Sequence, residues 1–498
     1  MHHFARIRGN IKLSMALVAA LTLALSSGLL ALANVTVVQV SMDPYTNSSS
    51  QHATEVEPDT FSYGNTIVEA SQVGRFNDGG SSNIGWATST DNGATWTHGF
   101  LPGTTTYATP PGPYARISDP SVAYDASHGV WMIVALPLQG PGGGLNTSVS
   151  RSTNGGLTWL NPVTVVTQGG LDKTWIACDN SPNSPYYGNC YVEYDNNGGG
   201  NIMQMVTSSD GGLTWGPVRT PSGAGSGLGG QPVVQPNGIV VVPYSGNGSA
   251  ILSYRSTNGG TSWGNATTVA SISEHGVAGN LRTSALPSAE IGPGGRIYVV
   301  WQDCRFRSGC SSNDIVMSSS TDGLTWSAVT RIPIDPVSST VDHFIPGIAV
   351  DKASSGPVAH LALTYYYYPT ANCTSSSCQL DVGFVSSVDG GATWTTPTAV
   401  AGPMTLTWLA LTNQGYMVGD YMSTSFDPLG KAHPVFAIAH APSGGVFDEA
   451  MYSPMPGLSL GPVSVGGGKV KTVPAGGDKV VFTGHGDRPL PPGLPTSH

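Results

Sequence analysis

The chain has 498 residues, including 66 glycines and 37 prolines, and only 10% of its side chains are charged. That composition suits a turn-rich all-β protein and excludes one built mainly of helices. The formal charge of −10 becomes more negative once the basic N-terminal stretch is set aside, which argues against a nucleic-acid partner.

The first predicted element is an export signal over residues 1–33. Arg6, Arg8 and Lys12 form a basic start, Leu13 to Leu32 is apolar, and Ala31-Leu32-Ala33 fits a small-x-small cleavage site. An uncleaved membrane anchor is the alternative. The mature chain is expected outside the cell, as a monomer, with the membrane met only through this signal. Next comes "VTVVQVS" (35–41), a β-like run.

The octapeptide "STDNGATW" then appears at 89–96 and recurs five times, at 152–159, 208–215, 256–263, 319–326 and 387–394. The tryptophans are 63, 56, 48, 63 and 68 residues apart, a repeat that decides the architecture. Position three is Asp91, Asp210 or Asp389 in three copies and Asn154 or Asn258 in two. Both side chains can accept backbone hydrogen bonds and close a tight turn, so the charge is not essential. The fifth copy has Thr321 there, with Asp322 beside it, and predicts an altered turn. Alternating runs flank each copy, such as "NTSVSR" before and "PVTVVT" after the second, so each octapeptide is a hairpin turn. Two more strand-like runs lie upstream. Four strands in about 60 residues make one blade of a β-propeller.

S-x-D-x-G-x-T-W resembles the Asp box of the sialidase-like, BNR-repeat propellers. The resemblance spans roughly residues 50 to 457. It implies that the boxes join the third and fourth strands of each blade, on the face away from the active site. The propeller is placed at 34–457 and a Gly/Pro-rich tail at 458–498. At about 60 residues per unit, seven blades are favoured, six being the alternative. "YMVGDYMSTSF", "HPVFAIAH" and "FDEAMYS" would form a blade without a box, closed by 35–41.

The resemblance also implies a site: three arginines for a substrate carboxylate, a tyrosine nucleophile activated by a glutamate, and an aspartate acid. Guanidinium forks match a carboxylate, and a neutral tyrosine is not repelled by an anionic sugar. "GRFND" makes Arg75 a carboxylate binder and Asp78 the acid. Tyr421, in "GDYMSTS", is the candidate nucleophile, with Tyr416 second. Glu290 or Glu193 is the partnering glutamate, Arg282 and Arg305 are the remaining arginines, and Trp175 is a sugar-stacking ring. His275 and His343 read as structural. The family opens its first blade with Arg-Ile-Pro. Here that region is "TEVEPDTF", without arginine, and "ARISDP" and "FIP" are fragments elsewhere. Sialidase-like hydrolysis of a glycan or glycoconjugate is therefore the first reading. Another carbohydrate enzyme, such as an endo-glucanase or a polysaccharide lyase, and a non-catalytic binding propeller stay open.

Six cysteines permit fifteen pairings, and nearest neighbours are the simplest: Cys178 with Cys190, Cys304 with Cys310, Cys373 with Cys378. Export favours their oxidation. None has zinc-type spacing with histidines, and no D-x-D-x-D-G…E calcium loop is present, so no cofactor is expected, a bound calcium in this Asp-rich chain being the alternative.

Overall fold

The computed structural model describes residues 35–461 apart from 224 and 355–357. The export signal and nearly all of the tail lie outside the described residues. The described chain is all-β, with curled antiparallel sheets in a propeller-like arrangement.

A short strand, β1 (Val37–Gln39), is followed by a meander of β2 (Glu55–Tyr63), β3 (Thr66–Arg75), β4 (Ser81–Ser89) and β5 (Thr97–Phe100). A second meander comprises β6 (Arg116–Asp125), β7 (Val130–Leu138), β8 (Gly144–Ser152) and the first part of β9 (Val163–Cys178). The second part of β9 pairs with β10 (Cys190–Asn196), which pairs with β11 (Ile202–Ser208). These strands register as one ten-stranded sheet, although the pair Ser81–Ile117 alone joins β4 to β6.

Three four-stranded sheets follow. They are β12 (Val233–Val234) to β15 (Thr267–Ser271) through β13 (Val240–Ser245) and β14 (Ala250–Ser256); β16 (Ser288–Ile291) to β19 (Thr330–Arg331) through β17 (Ile297–Asp303) and β18 (Asp314–Ser320); and β20 (Asp342–Val350) to β23 (Thr398–Thr405) through β21 (Leu361–Tyr368) and β22 (Gln379–Ser387). A hairpin of β24 (Ala410–Thr412) and β25 (Gly415–Met417) precedes β26 (Ser423–Phe426), β27 (Ala432–Ala439) and β28 (Glu449–Pro454). β1 pairs with β28, so the first strand completes the last sheet and covers an edge that would otherwise be open.

The first strands of successive groups meet around an axis. Val122 N donates to Asp59 at 2.8 Å, and Ile176 N to Ser121 at 3.4 Å. Ala289 N donates to Gln231 at 2.8 Å, and Ile348 N to Ser288 at 3.1 Å. Thr424 donates to Gly347 O at 3.1 Å, and Ser423 to Thr60 O at 3.2 Å, which returns the belt to β2. Apolar side chains fill the spaces between sheets. Val68, Ala70, Ile84 and Trp86 pack against Ile133 and Trp159, and Phe436 and Ala437 pack with Tyr366 and Phe384.

Each octapeptide is a turn held by its own side chains. In the first, Asp91 Oδ1 accepts from Ser89 Oγ and Thr95 N, both at 2.8 Å, and Thr95 Oγ1 donates to Asp91 Oδ2 at 2.6 Å. Asn154 keeps the geometry by reversing one donor: its Nδ2 donates to Thr158 Oγ1 at 2.8 Å. The fifth copy is one residue shorter between Asp and Gly. Asp322, not Thr321, accepts from Ser320 at 3.0 Å and Thr325 N at 2.8 Å. The turns also tie neighbouring sheets together, as Thr88 donates to Gly156 O at 2.8 Å and Arg151 to Gly211 O at 2.6 Å. Because Asn serves as well as Asp, Asp210→Asn is expected to change stability by less than about 0.5 kcal/mol. Asp210→Ala loses several hydrogen bonds and should cost about 1–2 kcal/mol. Denaturant midpoints of the two variants check this.

The three predicted cysteine pairs are bonded in the structure, Cys178–Cys190, Cys304–Cys310 and Cys373–Cys378, which fits an oxidising compartment. Tyr365, Tyr366 and Tyr368 are all buried, with Tyr366 hydrogen-bonded to Ala437 O at 3.0 Å.

Candidate active site

Four of the axial strands carry a register slip next to a residue with positive φ: Glu57 (58°) in β2, Asp119 (47°) in β6, Lys173 (47°) in β9 and Ile345 (47°) in β20. A bulge of this kind re-aims a side chain that strand alternation would send into the sheet. Backbone strain of that sort is concentrated at functional positions. Proline follows three of the four, at Pro58, Pro120 and Pro346.

Three of these side chains converge. Lys173 Nζ lies 3.4 Å from Glu57 Oε1 and 3.5 Å from Asp119 Oδ1, and it also donates to Asp420 Oδ2. Arg282 grips the same carboxylate with its Nε at 2.8 Å from Asp420 Oδ1 and its Nη2 on Oδ2. Gly419 makes the approach possible: at φ 140°, a Cβ there would stand 2.8 Å from Glu57 N. Burial alone would raise the Asp420 carboxyl, but Arg282 and Lys173 override it and hold it well below the usual carboxylate range. Burial pushes Glu57 up to about 7 against the pull of Lys173. Asp119 is raised by burial in the same way.

Tyr421 lies beside this network. Its hydroxyl donates to Pro120 O at 3.1 Å, and its ring centroid is 5.1 Å from that of Trp175 and 5.8 Å from Lys173 Nζ. Burial first, then the neighbouring carboxylates led by Glu57, push the phenol well above its ordinary value. Lys173, Trp175, Gln231, Leu286 and Tyr421 enclose a void of about 10 Å³, room for one water. The β24–β25 hairpin lies over the network. It is held by Gln51 through Leu411 N at 3.0 Å, by Asn77 Nδ2 to Leu411 O at 2.8 Å, and by Arg282 N to Tyr416 O at 2.7 Å.

Arg75, Arg282, Trp175 and Tyr421 are thus brought to one end of the axis. Arg75 is buried there, with Nη1 on the carbonyls of Phe76 and Gly80 at 2.8 and 2.7 Å and Nε on Met417 Sδ at 3.4 Å. Asp78 stands on the rim in a half-buried 2.5 Å pair with Arg116 and makes no bond to the buried network. Arg305 is not in the cluster: it folds onto Asp303 at 2.7 Å and fixes its own loop. Glu290 is at the opposite end of the axis, paired with Lys352 at 2.6 Å. Glu193 is buried facing Gly230 without a hydrogen-bond partner. Glu57, Asp119 and Asp420 were not anticipated, and Lys173 was placed near the channel mouth beside Trp175 only by its position in "DKTWIACD". The signal was present as acid-Pro in "TEVEP" and "ARISDP", which occupy equivalent places in two groups of strands.

Asp314, Asp335 and His343 lie close enough to share a cation. However, Arg307 reaches Asp314 and Asp335, each at 2.6 Å, and Arg331 reaches them at 2.8 and 2.5 Å. Two guanidinium groups already balance the two carboxylates, and the residues fit an ion-pair cluster better than a metal site.

A BNR repeat-like domain matches residues 143–348. No curated protein matches the chain. Among solved structures, a polysaccharide lyase described as an ulvan lyase of a new family is 11% identical, with a TM-score of 0.50 over 85% of this chain and 96% of that one. A protein of unknown function from Dyadobacter fermentans is 17% identical, with a TM-score of 0.44 over 71% and 98%. An intramolecular trans-sialidase from Ruminococcus gnavus is 14% identical, with a TM-score of 0.39 over 80% and 93%. With its six octapeptides and the match over residues 143–348, the chain is similar to the sialidase-like, BNR-repeat proteins.

Proposed function

We propose that the chain is a secreted glycoside hydrolase acting on an acidic extracellular glycan at the charged end of the axis. The observation that carries this reading is the convergence of Glu57, Asp119, Lys173, Arg282 and Asp420, from five separate segments, at one buried point. Burying such a network costs stability, and perturbed groups of this kind cluster where chemistry is done. Glu57, at about 7, is the proton donor, and Asp420 is the ionised partner. Two carboxyls pushed apart in this way divide the work of glycoside hydrolysis. Arg282 and Lys173 supply positive charge for an anionic sugar, and Trp175 supplies a ring face. The β24–β25 hairpin must shift to admit substrate.

The framework we read is a seven-bladed propeller. The ten-stranded sheet divides into three at the single Ser81–Ile117 pair and at the middle of β9, and each octapeptide sits at the turn between third and fourth strands. β1 closes the seventh blade.

Release of terminal sialic acid is the specific form that the family likeness suggests. In that form the roles change: Tyr421 is the nucleophile, Glu57 in its ionised form takes the activating role first given to Glu290 or Glu193, and Asp78 acts as the acid from the rim. The same cations beside Tyr421 would also suit a lyase, in which they neutralise a uronate carboxylate. Purified protein is to be assayed on a fluorogenic sialoside and on acidic polysaccharides. We expect turnover of at least one, reduced about 10²-fold or more in Glu57→Gln and Asp420→Asn. An unsaturated, ultraviolet-absorbing product would select the lyase. Binding without turnover on every substrate would overturn the enzymatic reading.

A further inference from the structure

The axis has a second mouth, at the octapeptide end. The last residues of β2, β9, β12, β16 and β26, with the turn after β20, surround a cavity of about 710 Å³ there. Small-ligand sites span roughly 300–1,000 Å³. Its charged side chains are each held by partners within the protein, and acidic groups outnumber basic ones. Lys352 is bound to Glu290 at 2.6 Å and to Ile291 O at 2.7 Å. Asp351 accepts from Ala353 N at 2.8 Å and from His360 at 3.1 Å. Asp427 accepts from Leu429 N at 2.9 Å, Lys431 N at 2.8 Å and His433 at 3.1 Å. Pro232, Pro236 and Pro293 stiffen the wall, which lowers the entropy lost on binding.

The rim is aromatic and open. Tyr63 is 46% exposed, and its ring lies 4.4 Å from Tyr124, which holds it in place. Tyr187 is 37% exposed on the neighbouring loop. Leu157, Leu213 and Leu324, each within an octapeptide, are also exposed, so this face carries much of the molecule's uncovered apolar surface.

We propose that this mouth is a second carbohydrate site, holding a neutral polysaccharide chain by stacking pyranose rings on Tyr63 and Tyr187 and seating one sugar in the cavity. A lining with the carboxylates of Glu290, Asp351 and Asp427 against the single cation of Lys352 has nothing to attract an acidic glycan, whereas half-exposed, backed aromatic rings suit the C–H face of a neutral sugar. The charged cluster at the far end has the opposite chemistry. The site would anchor the protein on neutral matrix glycan while the other face works on an acidic one.

The test is affinity electrophoresis of the full protein in gels containing laminarin, hydroxyethylcellulose or galactomannan. At least one should retard migration. Retardation should weaken at least tenfold in Tyr63→Ala/Tyr187→Ala, whose side chains are exposed and whose melting temperature should hold, and persist in Arg282→Ala. No retardation by any of the three overturns the proposal. So does unchanged retardation in the double tyrosine variant, or loss in Arg282→Ala alone, which would move binding to the charged cluster and leave the hydrolase reading intact.

Discussion

Replacing Lys173 with methionine is expected to cost the fold roughly 3–5 kcal/mol, because it strips the shared cation from three buried carboxylates. Lys173 is itself held well above its ordinary value: burial opposes its charge, but Asp420, Glu57 and Asp119 outweigh that penalty. It therefore stays charged throughout the neutral range. Without it, Arg282 alone faces Asp420, and Glu57 and Asp119 must take up protons. The loss should be larger at pH 8 than at pH 5, where protonation relieves the repulsion. Adding Asp420→Asn to Lys173→Met should recover part of it, with a coupling of about 0.5–3 kcal/mol. Denaturant midpoints at both pH values measure this. Equal losses at pH 5 and pH 8, with no coupling, would show that the cluster is not an electrostatic unit.

The melting temperature is expected to be highest in mildly acidic solution and to fall between pH 7 and pH 9. Burial pushes Glu69 up to about 8 and Asp381 to about 7, and burial together with Asp172 pushes Asp195 to about 9. Glu55, Glu193 and Glu449 are raised well above their ordinary value by burial as well. A carboxyl whose folded value is raised stabilises fully below its unfolded value near 4 and loses that contribution as pH rises through the folded one. Each unit of displacement is worth about 1.4 kcal/mol. The octapeptide carboxyls act on the other side. Hydrogen bonds from Thr325 N and Leu324 N hold Asp322 down at about 2, and that contribution is present above about 4 and lost below it. Melting curves across pH 3 to 9 should show the maximum, and Glu69→Gln should flatten its alkaline arm. A melting temperature that stays level or rises from pH 7 to 9 would contradict these assignments.

Local chemistry was readable without coordinates. Ser, Asp or Asn, Gly and Thr at fixed offsets close a turn within eight residues, so each octapeptide announced its own conformation. The copy with Asp322 misled by one position only because a residue is missing from its turn. Cysteines five to twelve residues apart likewise had near partners to find. Arg75, Arg282, Trp175 and Tyr421, which the structure gathers at one end of the axis, could be singled out because each stands in a segment with a distinctive neighbourhood.

The candidate site was harder to read, because it is made of single residues from segments up to 363 positions apart, such as Glu57 and Asp420. No local pattern states that Lys173 and Asp119 will turn inward. Their direction depends on a bulge in each axial strand, and the bulge has meaning only once the strands stand side by side around the axis. Glu290 shows the same limit in reverse: as a residue type it suited catalysis, but its strand delivers it to the far mouth. Turn chemistry and disulfide pairing are short-range, and so were written in the chain's order. The charged network, its roof and the two unlike ends of the axis depend on the closing of the ring, which brings remote strands into contact.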